Sequence, residues 1–322
     1  MKQDSKKYFI LSVCLFFCLA FVTGCGSRQT AFHPRQFPSV NIPSVVSGND
    51  AAEYAVYYFW DSFTDTSVIY PSDSSLINGV LKADFERSFY VWASAVADAD
   101  MEKASKAVGR LFDRISLMEH KDSSSNVLEA VGDMMGKYFY DPNSQLRNED
   151  IYGEFAVMMS GSDIVSEERR GIYSYEAGMC NLNRTGTAAA DFVFCDSKGR
   201  TKSLYDINSE YTLLFFSNPG CAACRQIISV LEENEKFNFM VESGRLAVVN
   251  VYIDEELDEW YKYLNEYPEK WFNGYDPEYV IRTDLLYNVR AIPSLYLLDK
   301  YKTVILKDAP ENKIFAVLDS LE

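Results

Sequence analysis

A chain of 322 residues, 48% hydrophobic and 15% aromatic, has material for packed cores and the length of two domains rather than one. Its 31 basic and 47 acidic residues leave a net charge of −16, which repels phosphate backbones and excludes a nucleic-acid binder. The two histidines, His33 and His120, both fall in the N-terminal part, so most zinc hydrolase, Ser-His-Asp and Cys-His chemistries drop out. Seven cysteines remain: Cys14, Cys18, Cys25, Cys180, Cys195, Cys221 and Cys224.

In chain order, the first segment is an address. Lys2, Lys6 and Lys7 precede an apolar run from Tyr8 to Val22, too short for the ~20 residues of a membrane span and suited to a signal-peptide core. The run ends Val22-Thr23-Gly24-Cys25, which resembles the bacterial lipobox. That resemblance implies removal of residues 1–24 as a signal peptide, lipidation of Cys25 and attachment to a membrane through the lipid anchor. Cys14 and Cys18 then leave with the peptide. Residues 25–49, with Pro34, Pro38 and Pro43 and no helical periodicity, read as a flexible tether. The expected setting is extracytoplasmic, where thiol–disulfide chemistry is meaningful. Gly26-Ser27-Arg28-Gln29 lacks an acidic export-like run, which favours a protein facing the periplasm.

Residues 50–182 read as an all-α domain of five or six helices. Asp50 and Glu53 have capping-box spacing and open a helix from Ala51 to Phe63. Ile77, Leu81, Phe85, Phe89, Trp92 and Val96 make one stripe; Ala104, Val108, Leu111, Ile115 and Met118 a second; Leu128, Val131, Met135 and Tyr138 a third. Asp150 and Ser166 are the expected caps of two further helices. The aromatic and methionine stripes are core positions before they are a binding groove, and no catalytic constellation is visible.

Residues 183–322 alternate strand and helix. Phe192 and Phe194 flank Val193 ahead of turn chemistry at Asp196–Gly199; Thr212–Ser217 and Leu246–Ile253 are buried strand runs. Helices are expected over 222–242 and 255–267, a hairpin over Ser294–Leu298 and Thr303–Leu306, and a last helix from Glu311. The predicted class is α/β, a mixed sheet with flanking helices, preceded by the helical domain.

The strand ending at Ser217 runs into Asn218-Pro219-Gly220-Cys221-Ala222-Ala223-Cys224-Arg225. A cysteine where a strand opens a helix meets unpaired amides and the positive dipole end, which favour thiolate. Cys221 is expected exposed, with Cys224 one turn on, buried and within disulfide reach. No histidine and no second CxxC are present to complete a zinc site, and Arg225 stands where haem attachment needs histidine.

Together with Val289-Arg290-Ala291-Ile292-Pro293-Ser294-Leu295-Tyr296-Leu297-Leu298-Asp299, this motif resembles the thioredoxin superfamily, in particular membrane-tethered bacterial members related to those of cytochrome c maturation. Asp191-Phe192 and Gly199 with Leu204-Tyr205-Asp206 resemble the hairpin opening that branch. The resemblance implies a thioredoxin-like fold over residues 185–322, Cys221 and Cys224 as the reacting pair, a cis Pro293 beside them, and an Ile292 backbone that pairs with incoming peptide. The layout also resembles Gram-negative lipoproteins that fuse an uncharacterised helical domain to this fold.

Two positions depart from the pattern. Phe215 stands where cytosolic thioredoxins keep a buried aspartate, and Ala222-Ala223 is neither Gly-Pro nor Pro-His. Asp254, Glu255 and Glu256 are expected on the rim with Trp260 nearby, as a solvated helix start or a substitute base. Cys180 and Cys195 straddle the junction and either form a structural disulfide or stand separately as helix and strand residues.

The function implied is a lipid-anchored thiol–disulfide oxidoreductase acting on protein or peptide disulfides with an extracytoplasmic thiol/disulfide partner, needing no metal and no organic cofactor. A binding lipoprotein, whose helical domain captures a partner, is the rival.

Overall fold

The computed structural model describes residues 33–321. The segment expected to be a signal peptide, with Cys14 and Cys18, and the expected lipidation site Cys25 lie outside the described residues, as does the start of the expected tether. Gln36–Glu322 form one compact unit.

Its helical layer comprises α1 (Asn49–Tyr57), α2 (Lys82–Asp98), α3 (Met101–Lys121), α4 (Val127–Met135), α5 (Glu149–Ser160) and α6 (Glu167–Cys180). One π-helical turn, Gly136–Tyr140, extends α4. The stripes bury as their spacing demands: Phe85, Phe89, Trp92 and Val96 from α2 pack in one core with Ala104, Val108, Leu111, Ile115 and Met118 from α3.

Three local expectations are corrected. The first helix stops at Tyr57, and its N-cap is Gly48 without a side-chain cap. The chain then turns, the Thr64 hydroxyl donating to the Trp60 carbonyl at 2.6 Å, and this drops Trp60 and Phe63 into the core against Phe85. Ile77 belongs to a small hairpin, β1 (Leu76–Ile77) with β2 (Val80–Leu81), not to α2. Asn78 and Gly79 take positive φ of 47° and 77°, the pair of left-handed residues that a two-residue hairpin turn requires. Asn148, not Asp150, caps α5, accepting from the amides of Asp150 and Ile151. Ser166 caps α6 through the Arg169 amide.

The remainder is a seven-stranded mixed sheet in the order β4-β3-β7-β6-β5-β8-β9. Its strands are β3 (Val193–Cys195), β4 (Thr201–Ser203), β5 (Tyr211–Phe216), β6 (Leu246–Tyr252), β7 (Phe272–Tyr275), β8 (Ser294–Asp299) and β9 (Val304–Leu306). At the centre, β5 runs parallel to β6 and antiparallel to β8. Its side chains alternate between two cores. Leu213 and Phe215 face Ile228, Leu231, Trp260 and Ile314; Leu214 and Phe216 face Phe192, Ile281, Tyr287 and Tyr296. The helices are α7 (Ala222–Glu233), α8 (Glu235–Glu242), α9 (Leu257–Tyr263), α10 (Val280–Thr283) and α11 (Glu311–Ser320). The single helix expected over 222–242 is two, because Asn234 ends one and caps the next through the Phe237 amide at 2.8 Å.

Strand β7 was not expected. It runs parallel to β6 and joins the β3–β4 hairpin through Cys195 and Tyr275. A Cβ added at Gly274 would lie 2.7 Å from the Phe194 ring and 2.9 Å from the Cys195 carbonyl oxygen. Because one obstacle is backbone, the strands must separate to admit it. Gly274→Ala is therefore expected to destabilise the chain by about 1–3 kcal/mol, read as a lowered urea midpoint. An unchanged midpoint would show that this edge shifts freely.

Candidate functional site

The end of β5 and the start of α7 form the site. Gly220 takes φ +69°, and a Cβ there would also approach the Tyr263 hydroxyl at 3.4 Å, so glycine turns the chain into the helix. Cys221 is the N-cap of α7, and its Sγ accepts from the Cys224 amide at 3.1 Å. The first-turn amides of α7 have no carbonyl behind them within the helix, so this sulfur sits where negative charge is stabilised. Cys221 is half-buried, Cys224 is 1% exposed, and the two are joined as a disulfide with Cα atoms 5.2 Å apart. Phe215 and Cys224 share one apolar core, so this face of β5 supplies no carboxylate beneath the second cysteine.

The antiparallel register sets Ser294 opposite Phe216, placing Ile292 and Pro293 at the same end of the sheet as the cysteine loop. The Ile292–Pro293 bond is cis, and Ile292 packs against both cores.

The parallel β5–β6 pair brings Asp254 to the same edge, where it is already engaged. Its Oδ2 accepts from Asn218 Nδ2 at 2.7 Å and its Oδ1 pairs with Arg282 at 2.7 Å. Asp254 thus ties the loop before Cys221 to α10. Glu256 accepts weakly from the Tyr252 hydroxyl at 3.4 Å, Glu255 is exposed, and Trp260 lies in the core. A buried polar chain runs below the strand ends: the Ser217 hydroxyl donates to Asn250 Oδ1, and Asn250 Nδ2 donates to Asn273 Oδ1 at 2.9 Å. Tyr263, Arg282 and Asn273 were missed by sequence reasoning, since each reaches the site through an element or pairing that local pattern does not mark.

Behind β8 lies a cluster of buried charge. Glu149, from the first turn of α5, accepts from Arg290 Nε at 2.8 Å and Asn288 Nδ2 at 3.1 Å, and pairs with Lys307 Nζ at 2.8 Å. The Glu149 and Lys307 side chains are only 1% and 2% exposed. Arg290 also donates to Asp308 Oδ2 at 3.1 Å, while the Ser294 hydroxyl donates to Asp308 Oδ1 at 2.7 Å. Burial, and next the Glu149 charge, push the Asp308 carboxyl up to about 6 against the pull of Arg147, Ser294 and Arg290.

The Cys180–Cys195 disulfide left open by the sequence is not formed: both cysteines are free and buried. Cys180 ends α6 and packs on Gly153 of α5, whereas Cys195 lies in β3 with its thiol directed at the Asp196 carbonyl. Each is held in a different layer. Burial pushes the Cys180 thiol up to about 12, so it is no nucleophile at neutral pH. Among the described residues, no group of three or more His, Cys, Asp or Glu side chains could hold a metal ion, and no helix is long and apolar enough to cross a membrane.

Residues 19–181 match the family model of a domain of unknown function, DUF5106, and residues 208–304 match a family described as thioredoxin-like. A crystal structure of a thioredoxin-like protein from Bacteroides caccae is similar over 90% of this chain and all of its own, at 33% identity and a TM-score of 0.78. The C-terminal domain of an uncharacterized protein from Bacteroides fragilis is 47% identical over 43% of this chain and 99% of its own, with a TM-score of 0.42. The thioredoxin domain of a thiol-disulfide oxidoreductase from Bacteroides vulgatus is 22% identical over 42% of this chain and 96% of its own, with a TM-score of 0.37. No curated protein matches the chain.

Proposed function

Since the chain belongs to the thioredoxin-like proteins and to the DUF5106 family, we propose that it is a thiol–disulfide oxidoreductase whose reacting pair is Cys221 and Cys224. The observation that carries this reading is the half-buried Cys221 at the N-cap of α7, bonded to a buried Cys224. In the reduced protein, Cys221 thiolate attacks one sulfur of a substrate disulfide. That S–S bond breaks, a Cys221–substrate disulfide forms, and the leaving thiolate takes a proton. Cys224, as thiolate, then attacks the Cys221 sulfur, forms the internal disulfide and releases the second substrate thiol. Two electrons pass to the substrate, and a separate dithiol protein returns the pair to its reduced form.

The apolar faces of Phe215 and the core leave proton removal from Cys224 to solvent or to the departing thiolate. The Asp254 tie to Asn218 and Arg282 holds the loop in register instead of acting as a base. The substrates are protein or peptide disulfides, and the protein is a lipoprotein anchored through Cys25 and facing the periplasm. The anchor rests on the lipobox-like Val22-Thr23-Gly24-Cys25, and the facing on Gly26-Ser27-Arg28-Gln29, which carries no acidic run.

Trapping tests the reading. In cells, Cys224→Ser should accumulate mixed disulfides through Cys221 that are released by reductant, and Cys25→Ser should lose lipid labelling and membrane association. Absence of any reductant-sensitive adduct would overturn the oxidoreductase; unchanged labelling and fractionation would overturn the anchor.

A further inference from the structure

We propose that the helical layer takes part in the redox site, with Glu149 as a positioning residue that sets the Asn288–Ser294 loop beside Cys221 and Cys224. The proposal rests on that pair being the reacting one, and it gives the helical layer a role in presenting peptide substrates.

Glu149 reaches across from α5 to the segment that leads into β8. One carboxylate oxygen receives both Asn288 Nδ2 and Arg290 Nε, and the other faces Lys307. Arg290 then passes the constraint on: its Nη2 holds Asp308, which in turn holds the Ser294 hydroxyl. Residues on both sides of Ile292 and Pro293 are thus fixed by carboxylates, one of which the helical layer supplies. That layer adds a second contact, the Tyr140 ring beneath the Arg290 guanidinium at 4.2 Å. Charged hydrogen bonds are directional, so this arrangement fixes orientation in a way that apolar packing does not. A buried carboxylate is also a costly way to obtain stability alone, since well-packed apolar groups serve as well or better. Ser294 pairs with Phe216 in the sheet, so a shift of this loop is felt at the strand that ends in the cysteine turn.

The test uses the full chain with Glu149→Gln, which keeps the shape and removes the charge. Hydrogen exchange of the Val289 amide, which donates to the Tyr287 carbonyl at 3.1 Å, should quicken about tenfold while the amides of α7 stay protected. KM for a peptide disulfide should rise about tenfold with kcat retained, and reduction of a small aromatic disulfide, which needs no strand-like pairing, should be unchanged. Should the single variant fold poorly, Glu149→Gln with Lys307→Gln removes both charges of the buried pair, keeps an amide donor for the carbonyls that Lys307 holds, and should give the same split. Unchanged exchange and KM in a folded variant would overturn the proposal. So would equal loss on both substrates with exchange quickened through α7, because that is general loosening. Wild-type protein that turns over neither substrate would instead overturn the redox reading, whatever the loop does.

Discussion

Cys221→Ser is expected to lose dithiol-driven disulfide reduction completely, down to the uncatalysed exchange rate. A serine hydroxyl at the α7 N-cap can still accept the amide of residue 224, so the helix start survives, but it is no nucleophile towards sulfur at neutral pH. The variant should therefore keep its far-ultraviolet circular dichroism and its urea midpoint in the reduced state. Substitution of the buried free thiols provides the contrast. Cys195→Ser changes a sulfur aimed at the Asp196 carbonyl, away from the cysteine turn, and should leave turnover as it was. Retained activity in Cys221→Ser would mean that the chemistry lies elsewhere.

The second large effect is on stability. Lys307→Met should cost about 3–5 kcal/mol, the usual result of removing one partner from a buried ion pair. Its ammonium group faces Glu149 and also donates to the Cys180 and Leu182 carbonyls at 2.7 and 2.6 Å, at the end of α6. Without it, a deeply buried carboxylate loses a counter-charge and two carbonyls lose their donor. Native stabilities run to about 5–15 kcal/mol, so the urea midpoint should fall by about a fifth or more. Lys106→Met, which removes a shorter pair with Glu102 on the open face of α3, 2.6 Å against 2.8 Å, should leave the midpoint in place. Equal midpoints for the two variants would show that the Glu149 cluster does not hold the layers together.

The amphipathic stripes of α2 and α3 and the buried runs of β5 and β6 were legible because each carries its own periodicity. The Cys221–Cys224 turn was legible because strand, glycine and helix start follow one another directly in the chain. Asn78-Gly79 was also written in the sequence, but Ile77 fits the helical spacing of Phe85 and Phe89, and the longer pattern concealed the shorter. Strand β7 had no such signature: Phe272-Asn273-Gly274-Tyr275 contains two poor strand formers. Its place depends on close approach to Phe194 and on the Asn250–Asn273 bond. Glu149 looked like one more surface acid in a chain of net charge −16. Nothing local marks it as the partner of Arg290 and Lys307, which lie far along the chain.

That separation bears on the order of synthesis. α5 is made well before Asn288, Arg290 and Lys307, so Glu149 has none of these partners until nearly the whole chain exists. The contact between α5 and the segments flanking β8 and β9 therefore joins parts of the chain made far apart in time, and a chain cut short before Lys307 does not complete it.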